Sequence, residues 1–107
     1  MTQFKDREQA FESNFKREQE LEFKIMARRN KLLGLWAADL LGLDDDSAQA
    51  YAKEVVVSDF EEAGDDDVLR KVRDDLAGKN IDMSEPLVRK EMDRLLGTAR
   101  EQIMSEK

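Results

Sequence analysis

Apolar side chains recur every three or four residues along almost the whole chain, and the pattern stops only at glycines and clusters of aspartate. This spacing places apolar residues on one face of an α-helix, whereas a strand would need strict alternation. The pattern has four segments: a long one from near Phe4 to Leu41, a second that Gly64 closes, a third that Gly78 closes, and a fourth that Ser84 begins. Only five Gly and one Pro leave little room for a turn-rich all-β fold. We therefore predict an all-α fold, a four-helix bundle-like single domain with a long first helix.

The predicted helix boundaries carry sequence signals of their own. Gly42 is expected to end the first helix, and the run Asp44-Asp45-Asp46-Ser47 to cap the second, because such side chains favour a helix N-terminus. Asp65-Asp66-Asp67 should start the third helix, and Pro86 is tolerated in the first turn of the fourth. The apolar residues expected to face the core in these three helices are Ala48, Tyr51, Ala52, Val55, Val56, Phe60, Ala63, Val68 or Leu69, Val72, Leu76, Leu87, Val88, Met92, Leu95, Ala99 and Ile103.

The first predicted helix changes character along its length. Before Leu21 the apolar residues are sparse, and after it they widen into a stripe that should join the core. The sparse half cannot bury enough apolar surface to offset its ordering entropy, so it should be loose to about residue 18. We therefore divide the chain into a mobile N-terminal arm, residues 1–19, and a globular domain, residues 20–107. The residues expected to face the core in the second half of the helix are Leu21, Phe23, Ile25, Met26, Leu32, Leu33, Leu35, Trp36 and Leu40.

The composition excludes several classes of protein. The 107 residues include no Cys, which rules out disulfides and thiolate metal sites, and no His, the commonest general base. The N-terminus has no apolar signal region, and no apolar run approaches the ~20 residues that span a bilayer. We expect a cytoplasmic protein without direct membrane insertion. Residues 1–31 carry a net charge of +2 and the remainder −9, so the extended basic surface that nucleic acid requires is missing.

The two aspartate triplets invite comparison with calcium-binding loops. An EF-hand loop needs Glu at position 12, but counting from Asp44 and from Asp65 that position holds Val55 and Leu76. Gly78-Lys79-Asn80 lacks the first Gly and the Ser or Thr of a phosphate-binding loop. Both triplets are therefore interpreted as helix starts in solvated acidic turns. We predict no catalytic residue and no metal ligand, and the protein is not expected to be an enzyme.

Basic side chains cluster near the middle of the first helix. Arg28, Arg29 and Lys31 follow one another closely, and Lys24 lies one turn earlier. The cluster would suit the phosphates of a nucleotide or an anionic partner. The simpler interpretation is a solvated helix face, because charge runs usually are.

The arm carries three phenylalanines with helical spacing. At 100° per residue Phe4, Phe11 and Phe15 fall within a narrow arc, with Glu8 beside them. This suits a helix that inserts a few aromatic anchors into the groove of a partner protein. Two alternatives fit the same pattern: the phenylalanines extend the core stripe, or they pair with a second copy of the chain.

Four stretches of the chain together resemble a known family. They are FKDRE at residues 4–8, ARRNKLLGLWAA at 27–38, YAKEVV at 51–56 and DFEEAG at 59–64. They are similar to the zeta inhibitor subunit of the alphaproteobacterial F-type ATP synthase, and the resemblance covers nearly the whole chain. It implies a four-helix fold and a regulatory subunit that blocks ATP hydrolysis. The N-terminal segment is expected to become helical and insert at a catalytic α/β interface of the synthase head, anchored by the globular part.

Carried onto this chain, the inserted segment is residues 1 to about 19. The resemblance and the apolar stripe together imply three buried anchors and four polar contacts: Phe4, Phe11 and Phe15, and Lys5, Asp6, Arg7 and Glu8. The implied partners are the α, β and γ subunits of the catalytic head. We expect a protein that is monomeric when free and peripheral to the inner membrane when bound.

The resemblance also implies weak binding of ADP or ATP by the globular body, and no other cofactor is expected. Arg28, Arg29 and Lys31 are the candidate nucleotide-binding residues. Two rival functions remain: a non-inhibitory helical interaction module, such as an assembly factor or a homodimer, and a nucleotide-sensing module that uses the basic cluster.

Overall fold

Four α-helices follow one another along the chain in a computed structural model, which describes residues 2–60 and 64–106, with side chains from Lys16 onward. No strand occurs in these ranges, and no helix there is long and apolar enough to cross a membrane. The all-α, four-helix prediction is confirmed. The helices are α1, Thr2–Leu40; α2, Asp45–Ser58; α3, Asp66–Ala77; and α4, Glu85–Ser105.

The turn between α1 and α2 follows the sequence signals. Gly42 has a φ of 73°, and the Leu43 amide donates to the Ala38 carbonyl oxygen at 3.0 Å, which closes α1 in a Schellman arrangement. The carboxylate of Asp44 then accepts the backbone amide of Ser47 at 2.8 Å. This hydrogen bond holds the pKa of Asp44 below its ordinary value. Gly42 as helix end and the Asp44 cap are both confirmed.

The second helix ends earlier than its apolar stripe predicts. It stops at Ser58, whose hydroxyl donates to the Val55 carbonyl oxygen at 2.7 Å and so competes with the helical pattern. The prediction that α2 extends to Gly64 is wrong. Gly64, with a φ of 97°, lies instead in the turn before α3. Ala63 lies outside the described residues.

The ends of α3 and the start of α4 match expectation, with one difference. Gly78 follows α3 with an ordinary helical φ, and Asn80 takes the left-handed conformation, at a φ of 61°. The Ser84 hydroxyl accepts the Leu87 amide at 3.4 Å, and Pro86 lies in the first turn of α4. The predicted Ser84 cap is confirmed.

The core lies where α1 packs against the other three helices, most extensively against α2 and α4. A smaller apolar cluster of Ile25, Ala99 and Ile103 continues the α1–α4 contact toward the arm, with Leu21 packed at its edge. The main cluster consists of Leu33, Ala37, Ala38, Tyr51, Val55, Val68, Leu69, Val72, Leu76, Val88, Met92 and Leu95.

Four residues assigned to the core from sequence are exposed instead. Phe23 and Phe60 are 58% and 62% exposed, Leu87 is 53% exposed, and Leu40 is 39% exposed. Phe23 lies at the edge of the α1 stripe, Phe60 lies beyond the end of α2, and the other two lie near helix ends where no neighbouring helix covers them. An apolar stripe that includes these four residues is wider than the helix face that neighbouring helices bury.

The contact between α1 and α2 requires a glycine. A Cβ placed on Gly34 would lie 2.6 Å from the Cα of Ala52 and 3.3 Å from a methyl carbon of Val55. Since the nearest atom belongs to the backbone of α2, no side-chain rotation could relieve the clash. Gly34 therefore sets how closely the two helices approach.

We predict that Gly34→Ala lowers the free energy of unfolding by about 1–3 kcal/mol, because α1 and α2 must separate to admit the methyl group. The measurement is urea denaturation followed by circular dichroism. Gly97→Ala is the matched control, since Gly97 lies inside α4 with nothing within 4 Å of its added Cβ. That substitution should stabilise by about 0.5–1 kcal/mol through helix propensity. Equal effects from the two substitutions would contradict the close-contact explanation.

Candidate functional site

The predicted partner-binding residues all lie on the first half of α1. Their side chains, those of Phe4, Lys5, Asp6, Arg7, Glu8, Phe11 and Phe15, are outside the described residues. The α1 backbone begins at Thr2, so these residues belong to the same helix as the core residues of the body. Their contacts with a partner, the mobility expected to residue 18 and the boundary at residue 19 stay predictions.

The packing of α1 against the body begins at Leu21. Residues 16–20 are all exposed, whereas Leu21 is half-buried and Ile25 is 1% exposed. Glu22 lies 3.9 Å from Arg100 of α4 at the same level. In the part of α1 whose side chains are described, the helix therefore leaves the core just before Leu21.

The middle residue of the basic cluster, Arg29, is buried. Its guanidinium is 2% exposed and donates to both carboxylate oxygens of Asp65, at 2.7 and 3.3 Å. Its Nε donates to the side-chain oxygen of Asn30 at 2.9 Å. Donation from Arg29 holds the pKa of Asp65 below its ordinary value. This two-pronged ion pair joins the middle of α1 to the start of α3.

The same ion pair corrects the interpretation of the second aspartate triplet. Asp65 precedes α3 as predicted, but its side chain makes no capping hydrogen bond because it binds Arg29. Asp67 is not a solvated residue either, since its side chain is only 9% exposed. The difference between this triplet and the one at Asp44 is the contact with Arg29, which is distant in sequence. The two triplets therefore could not be distinguished from the sequence alone.

The other two residues of the basic cluster lie in different surroundings. Arg28 donates to Gln102 at 2.8 Å and to Glu106 at 2.7 Å, which joins α1 to the end of α4. Lys31 is exposed and lines a groove between α1 and α2 together with Lys53. The structure thus does not gather Arg28, Arg29 and Lys31 around one open pocket. A nucleotide phosphate at Arg29 would have to compete with Asp65, and nucleotide binding by the cluster stays a prediction.

A second polar network joins α2 to α3 and was not foreseen from sequence. The Tyr51 hydroxyl donates to Asp75 at 2.8 Å, and Lys71 donates to the same carboxylate oxygen at 3.1 Å. The Lys71 ammonium lies 5.3 Å from the centre of the Tyr51 ring. Burial raises the pKa of the Tyr51 hydroxyl, and the bond to Asp75 adds to the effect. Tyr51 was identified only as an apolar core residue, since no spacing rule links it to Asp75.

Ion pairs join the helices in the described residues, and one of them, between Arg29 and Asp65, has a buried partner. The described residues contain no group of carboxylates that could hold a metal ion. A helical fold of this kind presents surfaces that can contact other macromolecules, but the fold alone does not identify them. Comparison with known proteins identifies the family of the chain. A family model described as ATPase inhibitor subunit zeta matches residues 1–102, and the chain belongs to that family. An inhibitor subunit family suggests a non-enzymatic role and interaction with the synthase complex.

The chain is also similar to solved structures. One determined by solution NMR is 52% identical in sequence, with a TM-score of 0.72. The match covers 81% of this chain and 99% of the other. The comparison with curated proteins finds no match.

We predict that Asp65→Ala lowers the free energy of unfolding at pH 7 by about 1–3 kcal/mol, because it leaves the buried Arg29 guanidinium without its carboxylate. The pKa of Asp65 is lower in the folded than in the unfolded protein, so the ion pair stabilises fully above the unfolded value. Its contribution disappears as pH falls through the folded value. The difference between wild type and variant should therefore shrink in urea denaturation at pH 3.

The neighbouring Asp66→Ala is the control for this prediction. Asp66 is 74% exposed and pairs with Arg89 at the surface, so its loss should cost about 0–1 kcal/mol. If Asp65→Ala behaved like Asp66→Ala, the ion pair with Arg29 would not be an important contribution to stability.

Proposed function

We propose that the protein inhibits ATP hydrolysis by an F-type ATP synthase, and that residues 1–19 insert at a catalytic α/β interface of the synthase head. The family supports the inhibitory role. The observation that supports the mechanism is the course of α1, a single helix from Thr2 whose described side chains are exposed at residues 16–20 and contact the core from Leu21 onward. In this proposal the residues before Leu21 are the ones that a partner binds.

The length and pattern of this segment suit insertion. The helical residues 2–19 extend about 27 Å, enough to reach deep into a cleft between subunits. In a helix Phe4, Phe11 and Phe15 lie on one face, where they would provide the apolar anchors. The four residues Lys5, Asp6, Arg7 and Glu8 would make polar contacts at the same interface. The partners are the α and β subunits at that interface and the γ subunit beside them.

The globular body would hold the inserted helix against the rotary movement of the head. Arg29 joins α1 to α3, Arg28 joins it to α4, and Gly34 allows tight packing on α2. These contacts fix the direction in which α1 leaves the body, so a force on the segment is transmitted to the folded domain. Inhibition in this scheme needs no chemistry by the chain itself. The bound protein would lie at the cytoplasmic face of the inner membrane, held there through the synthase.

We expect the full chain to inhibit ATP hydrolysis by an alphaproteobacterial synthase head, and a variant lacking residues 1–19 to have no effect. The measurement is the hydrolysis rate of the purified head over a range of protein concentrations. Circular dichroism of the shortened variant checks that its body is still helical. Inhibition by both proteins would place the active surface on the body, and inhibition by neither would contradict the proposed function.

Individual anchors can be tested in the full chain. Replacing Phe4, Phe11 and Phe15 together by Ala should weaken inhibition at least about 100-fold, because a few aromatic residues usually carry most of the binding energy of such a helix. Leu87→Ala is the control, since Leu87 is 53% exposed at the start of α4, the end remote from the arm. Unchanged inhibition by the triple variant would remove the phenylalanines from the interface.

A further inference from the structure

Two phenylalanine rings meet on the surface of the body. Phe23 of α1 and Phe60 after α2 have ring centroids 5.9 Å apart, yet both side chains are more than half exposed. Val57, one turn before Phe60, is 58% exposed. Exposed large apolar side chains that contact one another often mark an interaction surface, whereas single scattered ones do not.

The aromatic pair continues into a groove between α1 and α2. The apolar lining of the groove comes from α2, from Ala50 to Val57, and Lys31 and Lys53 lie along its two sides. Asp46 and Gln49 lie at the end remote from the phenylalanines. Because Val57 belongs both to the groove and to the turn before Phe60, the two features form one surface. We call it the aromatic groove, defined by Phe23, Phe60, Val57, Lys31 and Lys53.

The charges of the aromatic groove indicate the chemistry of its partner. In the part of the chain that the structure describes, Lys31 and Lys53 pair with no carboxylate, whereas Lys71 of α3 pairs with two. Unpaired lysines are notable here, because residues 32–107 carry a net charge of −9. A partner with carboxylates around exposed apolar side chains would complement this surface.

The position of Phe23 indicates which molecule this partner is. Phe23 lies three positions after the exposed residues 16–20 on α1, and it is eight positions from Phe15, a rise of about 12 Å along the helix. A molecule that encloses the arm as far as Phe15 therefore comes within reach of the aromatic groove. Because Phe23 and the arm belong to the same helix, α1, the same molecule is favoured over an unrelated one.

We infer that the aromatic groove is a second docking surface for the synthase head, and that it binds an acidic, apolar patch beside the cleft that the arm enters. This inference rests on the proposed function. Two attachments on one chain raise the effective concentration of each for its own site. The aromatic groove would thus slow release of the arm without itself blocking hydrolysis.

The test uses the full chain with the double substitution F23A/F60A. The concentration needed for half-maximal inhibition of the head should rise about tenfold or more, as expected for loss of two aromatic contacts. Inhibition at saturating concentration should stay complete, because the arm is unchanged. The control is Leu87→Ala, which removes an equally exposed apolar side chain from α4 and should leave the titration unchanged. Thermal unfolding confirms that each variant is folded.

A second double substitution tests whether the two lysines of the aromatic groove contribute to binding. The double substitution K31E/K53E should also weaken inhibition, and its deficit relative to wild type should shrink as salt concentration rises, because screening reduces interactions between exposed charges. A deficit independent of salt would contradict the acidic character assigned to the partner.

The outcomes separate this inference from the proposed function. If wild type inhibits and F23A/F60A inhibits equally well, the second docking surface is wrong and the arm mechanism stands. If wild type does not inhibit, the proposed function fails, and this inference fails with it. Sedimentation velocity tests whether the aromatic groove instead binds a second copy of the chain. A wild-type dimer that F23A/F60A converts to a monomer would show this, and it would overturn the inference.

Discussion

The ion pair between Arg29 and Asp65 decides how the parts of this protein are arranged. A guanidinium that is 2% exposed is tolerated in a protein interior only when a carboxylate binds it. That carboxylate precedes α3, so burying Arg29 fixes the start of α3 against the middle of α1. Phe60 lies between the end of α2 and Asp65, and its ring lies beside that of Phe23.

Helix α1 belongs to two parts of the molecule at once. From Leu21 onward it is the central element of the core, in close contact with α2 at Gly34 and joined to α4 through Arg28. Before Leu21 the same backbone continues without core contacts among its described side chains. Because one helix carries both parts, the packing of the body sets the direction of the segment that we propose as inhibitory. No flexible linker is needed between the two.

The proposed inhibitory segment and the aromatic groove would act together. A segment that orders as it binds loses affinity to the entropy of ordering. A surface on the folded body would lose less, because its residues are already held by the helices that carry them. With both attached, the inhibitory segment would block hydrolysis and the aromatic groove would slow dissociation. The acidic remainder of the body would stay solvated, which suits a protein that binds through limited apolar areas on an otherwise charged surface.

Much of the fold could be predicted from local sequence. The stop at Gly42, the caps at Asp44 and Ser84 and the core positions of α3 depend on interactions within a few residues, and the structure has all of them. The predicted end of α2 was wrong. The apolar stripe continues past Ser58, whereas the hydroxyl of Ser58 competes with the helical hydrogen bonds. The family could also be predicted from the sequence alone, because long stretches of the chain resemble it.

The candidate site was predicted less completely. Arg28, Arg29 and Lys31 are adjacent in sequence and looked alike, yet the fold buries one against Asp65, directs another to α4 and leaves the third exposed. Phe23 and Phe60 were assigned to the core, although they meet at the surface. By itself the sequence determined four helices and the caps at Asp44 and Ser84, because those depend on the period of the helix and on neighbours along the chain. Only the tertiary structure decided which charges are paired and which rings are exposed, because those properties depend on residues that folding brings together from distant parts of the chain.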